Sequence, residues 1–292
     1  MGNTPSAITN TLAAVRDHTR RYQDFTYVYP VISRRSRGLS IGINLNPDKV
    51  CNFDCVYCEV DRRIPGRRKD VDLLQVRDEL RWLVRHALDG GLAREPKFDE
   101  VPDFTRHIRD IAFSGDGEPT MVHNFAECVQ VAVEAKEEFR LDTTRIVLIT
   151  DAAGLDKTSV KAGLALMDRH QGEIWGKLDA GTEGYYQLVN RSPVKFERIL
   201  ANLRDTARVR PIIIQSLFLK THGAVMDTPE LHAYCQRLRD IVFAGGQIRE
   251  VHAYTIARPT PEPWATALTA AELVKIAETI RQETGLKVEI FD

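Results

Sequence analysis

Three of the five cysteines in this 292-residue chain lie within eight positions of one another, in the spacing C-x3-C-x2-C. They are Cys51, Cys55 and Cys58, in a Pro/Asp/Asn-flanked stretch whose gaps match neither a helix nor a strand period. Thiolates are soft ligands that select zinc, copper(I) or iron–sulfur clusters. Three cysteines on one short loop can bind three irons of a 4Fe-4S cube, which leaves the fourth iron open to another ligand.

These cysteines allow two other interpretations. A zinc site could combine the three thiolates with a remote ligand such as His123, although structural zinc sites usually show paired spacings. Three unrelated buried thiols would also satisfy the composition. The two remaining cysteines, Cys128 and Cys235, fall inside predicted helices, where we expect them to pack as small hydrophobic side chains.

With Tyr57 directly before the last cysteine, the loop resembles the cluster loop of radical S-adenosylmethionine (SAM) enzymes. The resemblance implies two cofactors, a 4Fe-4S cluster and SAM, which chelates the open iron through its amino and carboxylate groups. It implies that an electron from the cluster cleaves the sulfonium and that the resulting 5′-deoxyadenosyl radical abstracts hydrogen from a substrate. It also implies an electron donor such as flavodoxin or ferredoxin.

A second motif follows the second strand of the predicted barrel, in the stretch 114–120 with the sequence SGDGEPT. It resembles the GGEP-type motif that contacts the methionine amino group of SAM, and this assigns SAM binding to Gly115, Asp116, Gly117, Glu118 and Pro119. Glycine lets the backbone approach a ligand closely, and the glutamate would place a carboxylate near the sulfonium and ammonium. Taken alone, the same stretch is also a plausible turn.

The extra polar residue, Asp116, resembles a subgroup related to wyosine-type tRNA modification proteins, as do the stretches 31–47, 177–193 and 251–263. The resemblance extends over residues 25–292. Those relatives carry a second cluster bound by three further cysteines upstream of the first, whereas this chain has no cysteine before Cys51. Their reaction is therefore not carried over, and the substrate stays unidentified, with a nucleotide or tRNA-derived compound as a candidate.

Four polar residues stand where later strands of the predicted barrel end. Thr150 and Asp151 are placed to meet the ribose or methionine part of SAM, or to cap the following turn. Lys177 and Asp179 are predicted catalytic residues that anchor a substrate carboxylate or position a hydroxyl. The alternative for this pair is a structural ion pair at the barrel rim.

Further polar residues carry weaker predictions. Those on the last strands could contact substrate or fill polar gaps: Gln215, Ser216, His252, Tyr254 and Arg258. Basic residues flank the cysteine loop and could attract phosphates or an acidic reductase, or form a solvated face: Arg34, Arg35, Arg37, Arg62, Arg63, Arg67, Arg68 and Lys69.

The elements that must position these residues alternate between strand and helix. From Gly38 onward the patterns predict six strand–helix units and a trailing strand, with short connections. This alternation predicts a parallel sheet with right-handed crossovers, and six units suit a partial (β/α)6 TIM-like barrel better than a closed one of eight. We expect an N-terminal helix and lead-in over 1–37 and one barrel domain over 38–292.

Composition sets the remaining expectations. The net charge of −1 gives no global field for nucleic acid or membrane. The N-terminus lacks the pattern of a secretory signal, no apolar run reaches a membrane span, and clustered cysteines suit a reducing compartment, so a cytoplasmic location is expected. Two rival functions remain open: a radical SAM activase of a glycyl-radical partner protein, and a non-enzymatic zinc or nucleic-acid-binding protein.

Overall fold

A computed structural model describes residues 20, 22–63, 66, 70–101 and 107–291 of the chain. Its strands, in chain order, are β1 (Val28–Ser33), β2 (Gly38–Ile43), β3 (Ile108–Phe113), β4 (Arg145–Thr150), β5 (Gly172–Lys177), β6 (Ile212–Leu217), β7 (Leu219–Thr221), β8 (Ala224–Val225), β9 (Ile248–Tyr254), β10 (Ala265–Ala267) and β11 (Val288–Phe291). Its α-helices are α1 (Leu73–Leu88), α2 (Phe125–Glu138), α3 (Thr158–Arg169), α4 (Glu183–Asn190), α5 (Phe196–Val209), α6 (Thr228–Phe243) and α7 (Ala270–Thr284).

Eight strands form one sheet in the order β1-β2-β3-β4-β5-β6-β9-β11. Only the β1–β2 pair is antiparallel, and every pair from β2 to β11 is parallel. Runs such as Ile212–Leu217 are buried along their whole length, as strands covered on both faces must be. Six strand–helix units and a trailing strand follow from β2, which confirms the predicted partial (β/α)6 barrel.

The concave face of the sheet has its own small apolar layer of Ala112, Val147, Trp175 and Ile213, which is separate from the large core between the sheet and its helices. Polar side chains occupy the levels of the concave face on either side of this layer. The carboxyl ends of the parallel strands all open at the same edge, where barrel enzymes place their functional loops.

Local capping explains why the helices begin where they do. Asp72 accepts hydrogen bonds from the backbone N–H groups of Leu74 and Gln75 and so starts α1. Thr269 and Glu272 form a reciprocal capping box at the start of α7. None of the helices in the described part of the chain is both long and apolar enough to cross a bilayer.

Two features were not predicted. The short helix α4 lies between β5 and α5, and a separate three-stranded sheet forms in the order β10-β7-β8. Of the predicted N-terminal segment, residues 1–19 and 21 lie outside the described residues, and β1 belongs to the main sheet.

Candidate functional site

The three cysteines and the second motif meet in one cavity of about 260 Å³ at the carboxyl edge of the sheet. Cys51, Cys55 and Cys58 line it from the loop after β2, and Gly115–Glu118 line it from the loop after β3. Because β2 and β3 are neighbouring parallel strands, their following loops emerge side by side. Topology therefore joins two motifs that stand almost 60 residues apart in the chain.

Each cysteine sulfur accepts one N–H donor. The donors are the backbone N–H of Phe53 for Cys51 (3.5 Å), the side-chain amide of Asn190 for Cys55 (3.4 Å) and the guanidinium of Arg62 for Cys58 (2.8 Å). Such donors favour the thiolate form, and hydrogen bonds to sulfur also tune the potential of a bound cluster.

Without a bound cation, two of the three thiols hold their protons strongly. Burial raises the pKa of the Cys51 thiol to about 12 and that of Cys55 to about 11. Metal ions displace such protons when they bind. Three clustered sulfurs with matched N–H donors, open to one cavity, fit a cluster with one iron that has no cysteine ligand.

The C-terminal end of helix α4 is hydrogen-bonded to the cysteine loop. Its last carbonyl groups, on Val189 and Asn190, accept the backbone N–H groups of Val56 and Asp54, both at 3.0 Å. Helix C-terminal carbonyls have no partner within their own helix, so the loop and the helix end satisfy each other. The Asn190 side chain also donates to the Asp179 carboxylate at 2.8 Å.

The glycines of the second motif sit where a side chain would collide with the cysteine loop and its approach strand. A Cβ on Gly117 would lie 1.9 Å from the Val50 carbonyl oxygen, and one on Gly115 would lie 2.2 Å from Oδ1 of Asn44. Asp116 accepts hydrogen bonds from Asn44 (2.8 Å) and Arg20 (3.0 Å). The two loops are therefore in direct backbone contact, which is the close approach that glycine permits.

Glu118 is 2% exposed, and its carboxylate accepts four hydrogen bonds. Oε1 accepts from the backbone N–H and the hydroxyl of Thr120 and from the hydroxyl of Thr150, and Oε2 accepts from the backbone N–H of Asp151. Glu118 thus joins the loop after β3 to the end of β4. Pro119, the next residue, starts a short 3-10 helix over Pro119–Met121.

Asp151 brings a carboxyl group next to the cysteines, with Oδ2 4.0 Å from the sulfur of Cys51. Burial, and then the neighbouring Glu118 carboxylate, raise the pKa of Asp151 well above its ordinary value. Thr150 and Asp151 both line the cavity, and their contact with SAM stays a prediction.

Lys177 and Asp179 have different surroundings, although they are only two residues apart. Lys177 lines the cavity, with Nζ 5.8 Å from the ring centre of Tyr57. Asp179 is 2% exposed and accepts hydrogen bonds from the Tyr57 hydroxyl, from Asn190 and from the Leu217 backbone N–H. Within the described part of the chain no ion pair links them, and the Asp179 carboxylate instead holds the cysteine loop to β6 through Tyr57 and Leu217.

Burial lowers the pKa of Lys177, but the acidic groups around it, chiefly Tyr254, Cys55 and Asp179, outweigh this and raise the pKa above its ordinary value. Lys177 is therefore an ammonium group at neutral pH. The predicted catalytic roles of Lys177 and Asp179 stay predictions, because no substrate has been identified.

The weaker candidates separate into two groups. Gln215, Tyr254 and Arg258 line the cavity, and Arg258 is paired with Glu59. Ser216 faces away and bonds the Leu178 carbonyl and the Tyr234 hydroxyl.

His123, the fourth ligand considered for zinc, is exposed and does not line the cavity. Cys128 and Cys235 are fully buried in α2 and α6, as expected for packing residues.

The basic residues near the cysteines are not a uniform solvated face. Arg34, Arg35 and Arg62 line the cavity, whereas Arg37 pairs with Glu289 and Arg63 with Asp61. The remaining members of that group lie outside the described residues: Arg67, Arg68 and Lys69.

Sequence reasoning missed three contributors to the site: Asn190, Asn44 and the specific role of Arg62. Asn190 and Asn44 act on partners far away in the chain, 135 and 72 residues distant. Arg62, four residues after Cys58, could have been noticed because an arginine at that spacing can reach back to the sulfur.

No family model matches the chain. A Brachyspira hyodysenteriae protein named GTPase Obg is 23% identical over 267 residues, which is 89% of this chain and 34% of that protein. The UPF0026 protein MJ1312 of Methanocaldococcus jannaschii is 28% identical over 162 residues, which is 56% of this chain and 43% of its own. This chain thus spans less than half of either relative, and its sequence lacks the G-x-x-x-x-G-K-[S/T] motif of P-loop GTPases.

Comparison with solved structures shows similarity over most of this chain. SuiB of Streptococcus suis, bound to S-adenosylmethionine, superposes with a TM-score of 0.58 at 12% identity over 86% of this chain and 50% of SuiB. TYW1 with a lysine-pyruvate adduct bound gives a TM-score of 0.55 at 17% identity over 88% of this chain and 76% of TYW1. At these identities the likeness shows a shared fold. This chain therefore shares the partial-barrel fold of SuiB and TYW1, as its six strand–helix units predicted.

Proposed function

We propose that this chain is a radical SAM enzyme. Cys51, Cys55 and Cys58 hold a 4Fe-4S cluster, SAM binds between the cluster and the Gly115–Pro119 loop, and hydrogen is abstracted from a substrate that enters the same cavity. The observation that carries the proposal is the shared cavity, since a cofactor bound by both motifs must touch both loops. The order of the two motifs in the sequence, one after β2 and one after β3, also agrees with this arrangement on a parallel barrel.

The bound cluster would supply one electron to SAM, and the chain's own residues do the rest. Phe53, Asn190 and Arg62 donate hydrogen bonds to the three sulfurs and keep them oriented. Gly115 and Gly117 let the second loop approach the first. The barrel wall around the cavity limits access of water, which protects a reactive carbon radical from quenching.

Glu118 acts in this proposal as a positioning residue. Its four hydrogen bonds fix the loop after β3 relative to Thr150 and Asp151. The SAM-binding role therefore passes to the backbone groups of the loop that this carboxylate holds in place.

Anaerobic reconstitution with iron and sulfide tests the proposal. We expect about four irons per chain, a brown chromophore, and release of 5′-deoxyadenosine from SAM once a reductant is added. Reduction in the cell would come from a flavodoxin- or ferredoxin-type donor. A protein that holds four irons and never forms 5′-deoxyadenosine would overturn the proposal, and one equivalent of zinc without sulfide would support the zinc-binding alternative.

The matched control uses the cysteines themselves. The triple variant with Cys51, Cys55 and Cys58 changed to alanine should lose iron and chromophore. The double variant Cys128→Ala and Cys235→Ala should retain both, because those thiols are buried inside helices away from the cavity.

A further inference from the structure

The wall of the cavity formed by β5 and β6 carries polar groups that have no partner. Lys177 and Gln215 are directly opposite each other in the β5–β6 ladder, so their side chains project from the same face of the sheet. Both line the cavity. Gln215 is 0% exposed, and neither Oε1 nor Nε2 of its amide has a hydrogen-bond partner.

Two cations line the cavity here, Lys177 on β5 and Arg35 on the β1–β2 turn. Lys177 contacts the ring of Tyr57, and the Arg35 guanidinium lies 4.8 Å from the ring centre of Tyr254 and 5.9 Å from that of Trp175. Among the described residues neither cation has an ion-pair partner. Buried polar and charged groups are normally paired, because leaving them unpaired destabilises the folded state.

The carboxylates of the cavity do not supply the missing partners. Glu118 is hydrogen-bonded to Thr120, Thr150 and Asp151, and Asp116 is held by Arg20 and Asn44. Asp110 accepts from Ser40 and lies 3.4 Å from Arg145, and Glu59 is paired with Arg258. Asp151 accepts from the Ala153 backbone N–H and lies beside the sulfur of Cys51. The wall of β5 and β6 is therefore a positively charged surface with a spare amide, and a ligand with acceptor oxygens complements it.

The amide group of Gln215 further restricts which kinds of ligand would fit. Its NH₂ group can donate to an anion, but its oxygen needs a donor in turn. A carboxylate that carries a hydroxyl on the adjacent carbon satisfies both: its oxygens accept from Lys177 and Gln215, and its hydroxyl donates to the Gln215 oxygen. A phosphate offers no such donor when it is ionised, and phosphate sites generally use helix N-termini or glycine-rich backbone, neither of which stands at this wall.

We propose that Lys177 and Gln215, assisted by Arg35, form a subsite that binds the carboxylate and adjacent hydroxyl of a hydroxy-acid substrate. This inference rests on the proposed function, because only that function makes the bound hydroxy acid a substrate. The subsite lies in the cavity where hydrogen would be abstracted. The subsite itself is a binding property and can be measured without any turnover.

The test uses glycolate as the probe, with acetate and methyl phosphate for comparison. Reconstituted protein without reductant, so that SAM stays intact, is titrated with each compound by saturation-transfer NMR, with and without saturating SAM. We expect glycolate to bind more tightly than acetate and methyl phosphate, and to bind whether or not SAM is present. Lys177→Met should weaken glycolate binding about tenfold or more, and Gln215→Leu about threefold to tenfold, in line with loss of a charged and a neutral hydrogen bond.

Controls are available on exposed helix positions. Lys161→Met on α3 and Gln236→Leu on α6 remove the same chemical groups outside the cavity and should leave glycolate binding unchanged. A thermal-unfolding measurement separates binding from folding. Without glycolate, Gln215→Leu should raise the unfolding midpoint, because it removes a buried amide that has no hydrogen-bond partner, whereas a purely structural role predicts a lower midpoint.

Four results would overturn the subsite. They are unchanged glycolate binding in both variants, a lower unfolding midpoint in Gln215→Leu, tighter binding of methyl phosphate than of glycolate, and displacement of glycolate by SAM, which would assign these residues to the cofactor. Failure of the proposed function is recognised separately: glycolate binding would depend on Lys177 and Gln215 while SAM is never cleaved. Cleavage of SAM with unaltered glycolate binding in the variants would leave the function and remove the subsite.

Discussion

Arg62 links the two loops that form the candidate site. Its guanidinium donates to the sulfur of Cys58 (2.8 Å), to the Lys49 carbonyl (3.2 Å) and to the Asp116 carbonyl (3.3 Å). One side chain therefore contacts a cluster ligand, the loop that carries it and the loop of the second motif. A cation hydrogen-bonded to a ligand sulfur favours the more negative, reduced state of a cluster.

Arg62→Met should consequently lower the midpoint potential of the reconstituted cluster. Loss of about 1.4 kcal/mol of preference for the reduced state corresponds to about 59 mV for a one-electron couple, and a shift of that order is expected in a redox titration followed by electron paramagnetic resonance. Arg63→Met is the matched control, because Arg63 is exposed and paired with Asp61. An Arg62→Met potential equal to that of the control would show that Arg62 does not act on the cluster.

His252 lies on the inner face of the barrel, below the cavity. It is 2% exposed and is surrounded by Glu250 on its own strand, Arg35 from the β1–β2 turn, Glu289 on β11, and the rings of Trp175 and Phe291. Burial lowers the pKa of His252, although the hydrogen bond to Glu250 opposes the effect. The folded protein therefore keeps this imidazole neutral at pH values where the unfolded chain binds a proton.

This difference predicts a pH-dependent loss of stability. As the pH falls below about 6.5, the unfolded state gains a proton that folded His252 resists, so the free energy of unfolding decreases, by at most about 1.4 kcal/mol per pH unit. Urea denaturation between pH 7.5 and 5.5 should show a shallower decrease for His252→Gln than for the wild type. Equal slopes would exclude His252 as the source. Burial raises the pKa of Glu250, but Lys287 and His252 outweigh this and lower it. The contribution of Glu250 to stability is therefore lost in a more acidic range, below its ordinary pKa of 4.5.

At the scale of elements, α4 is the support of the cysteine loop. Its final residue, Asn190, is 1% exposed and donates to both Asp179 and Cys55, while its backbone carbonyl accepts from Asp54. Asn190→Ala removes the donor and leaves the buried Asp179 carboxylate with fewer partners.

We expect Asn190→Ala to reduce the free energy of unfolding by about 1–3 kcal/mol and to lower the iron content after reconstitution. Urea denaturation and iron analysis measure the two effects. Leu188→Ala, at an exposed position of the same helix, should change neither by a comparable amount. Full iron retention in Asn190→Ala would mean that the loop does not depend on α4.

The contact between the two loops can be tested at Gly117. In Gly117→Ala the new methyl group would meet the Val50 carbonyl oxygen at 1.9 Å, so the loops must separate. We expect the cluster to assemble and SAM binding to weaken roughly tenfold, the effect of losing about 1.4 kcal/mol of contact. Gly184→Ala on α4, where a Cβ has nothing within 4 Å, serves as the control in an equilibrium binding assay. Unchanged SAM affinity in Gly117→Ala would place SAM elsewhere.

Elements with a strong local pattern were predicted almost to the residue. The sequence pattern predicts a strand over Arg145–Thr150 and a helix over Ala270–Thr284, and both elements have these bounds in the structure. Helix α4 was missed because its eight residues offer only two turns of pattern and include a glycine. The β10-β7-β8 sheet was missed because β10 pairs with a strand more than 40 residues earlier, and such pairing leaves no local signal.

At the scale of the whole molecule, the order of strands in the sheet determines which loops meet at the site. Neighbouring parallel strands carry the cysteine loop, the glycine motif, Thr150 and Lys177 in succession, so sequence order alone could place them on one edge. It could not show which side chains face the cavity. Gln215 and Ser216 looked equivalent in the sequence, yet one is unpartnered in the cavity and the other is bonded on the opposite face.

The most direct test of the central claim is whether SAM binds the iron that the three cysteines leave open. The cluster is reduced anaerobically, and pulsed electron paramagnetic resonance is recorded with SAM that carries ¹⁵N in its amino group. We expect the cluster signal to change on addition of SAM and to show hyperfine coupling to the ¹⁵N label. A reduced 4Fe-4S signal that is unaffected by SAM and shows no coupling would contradict the account.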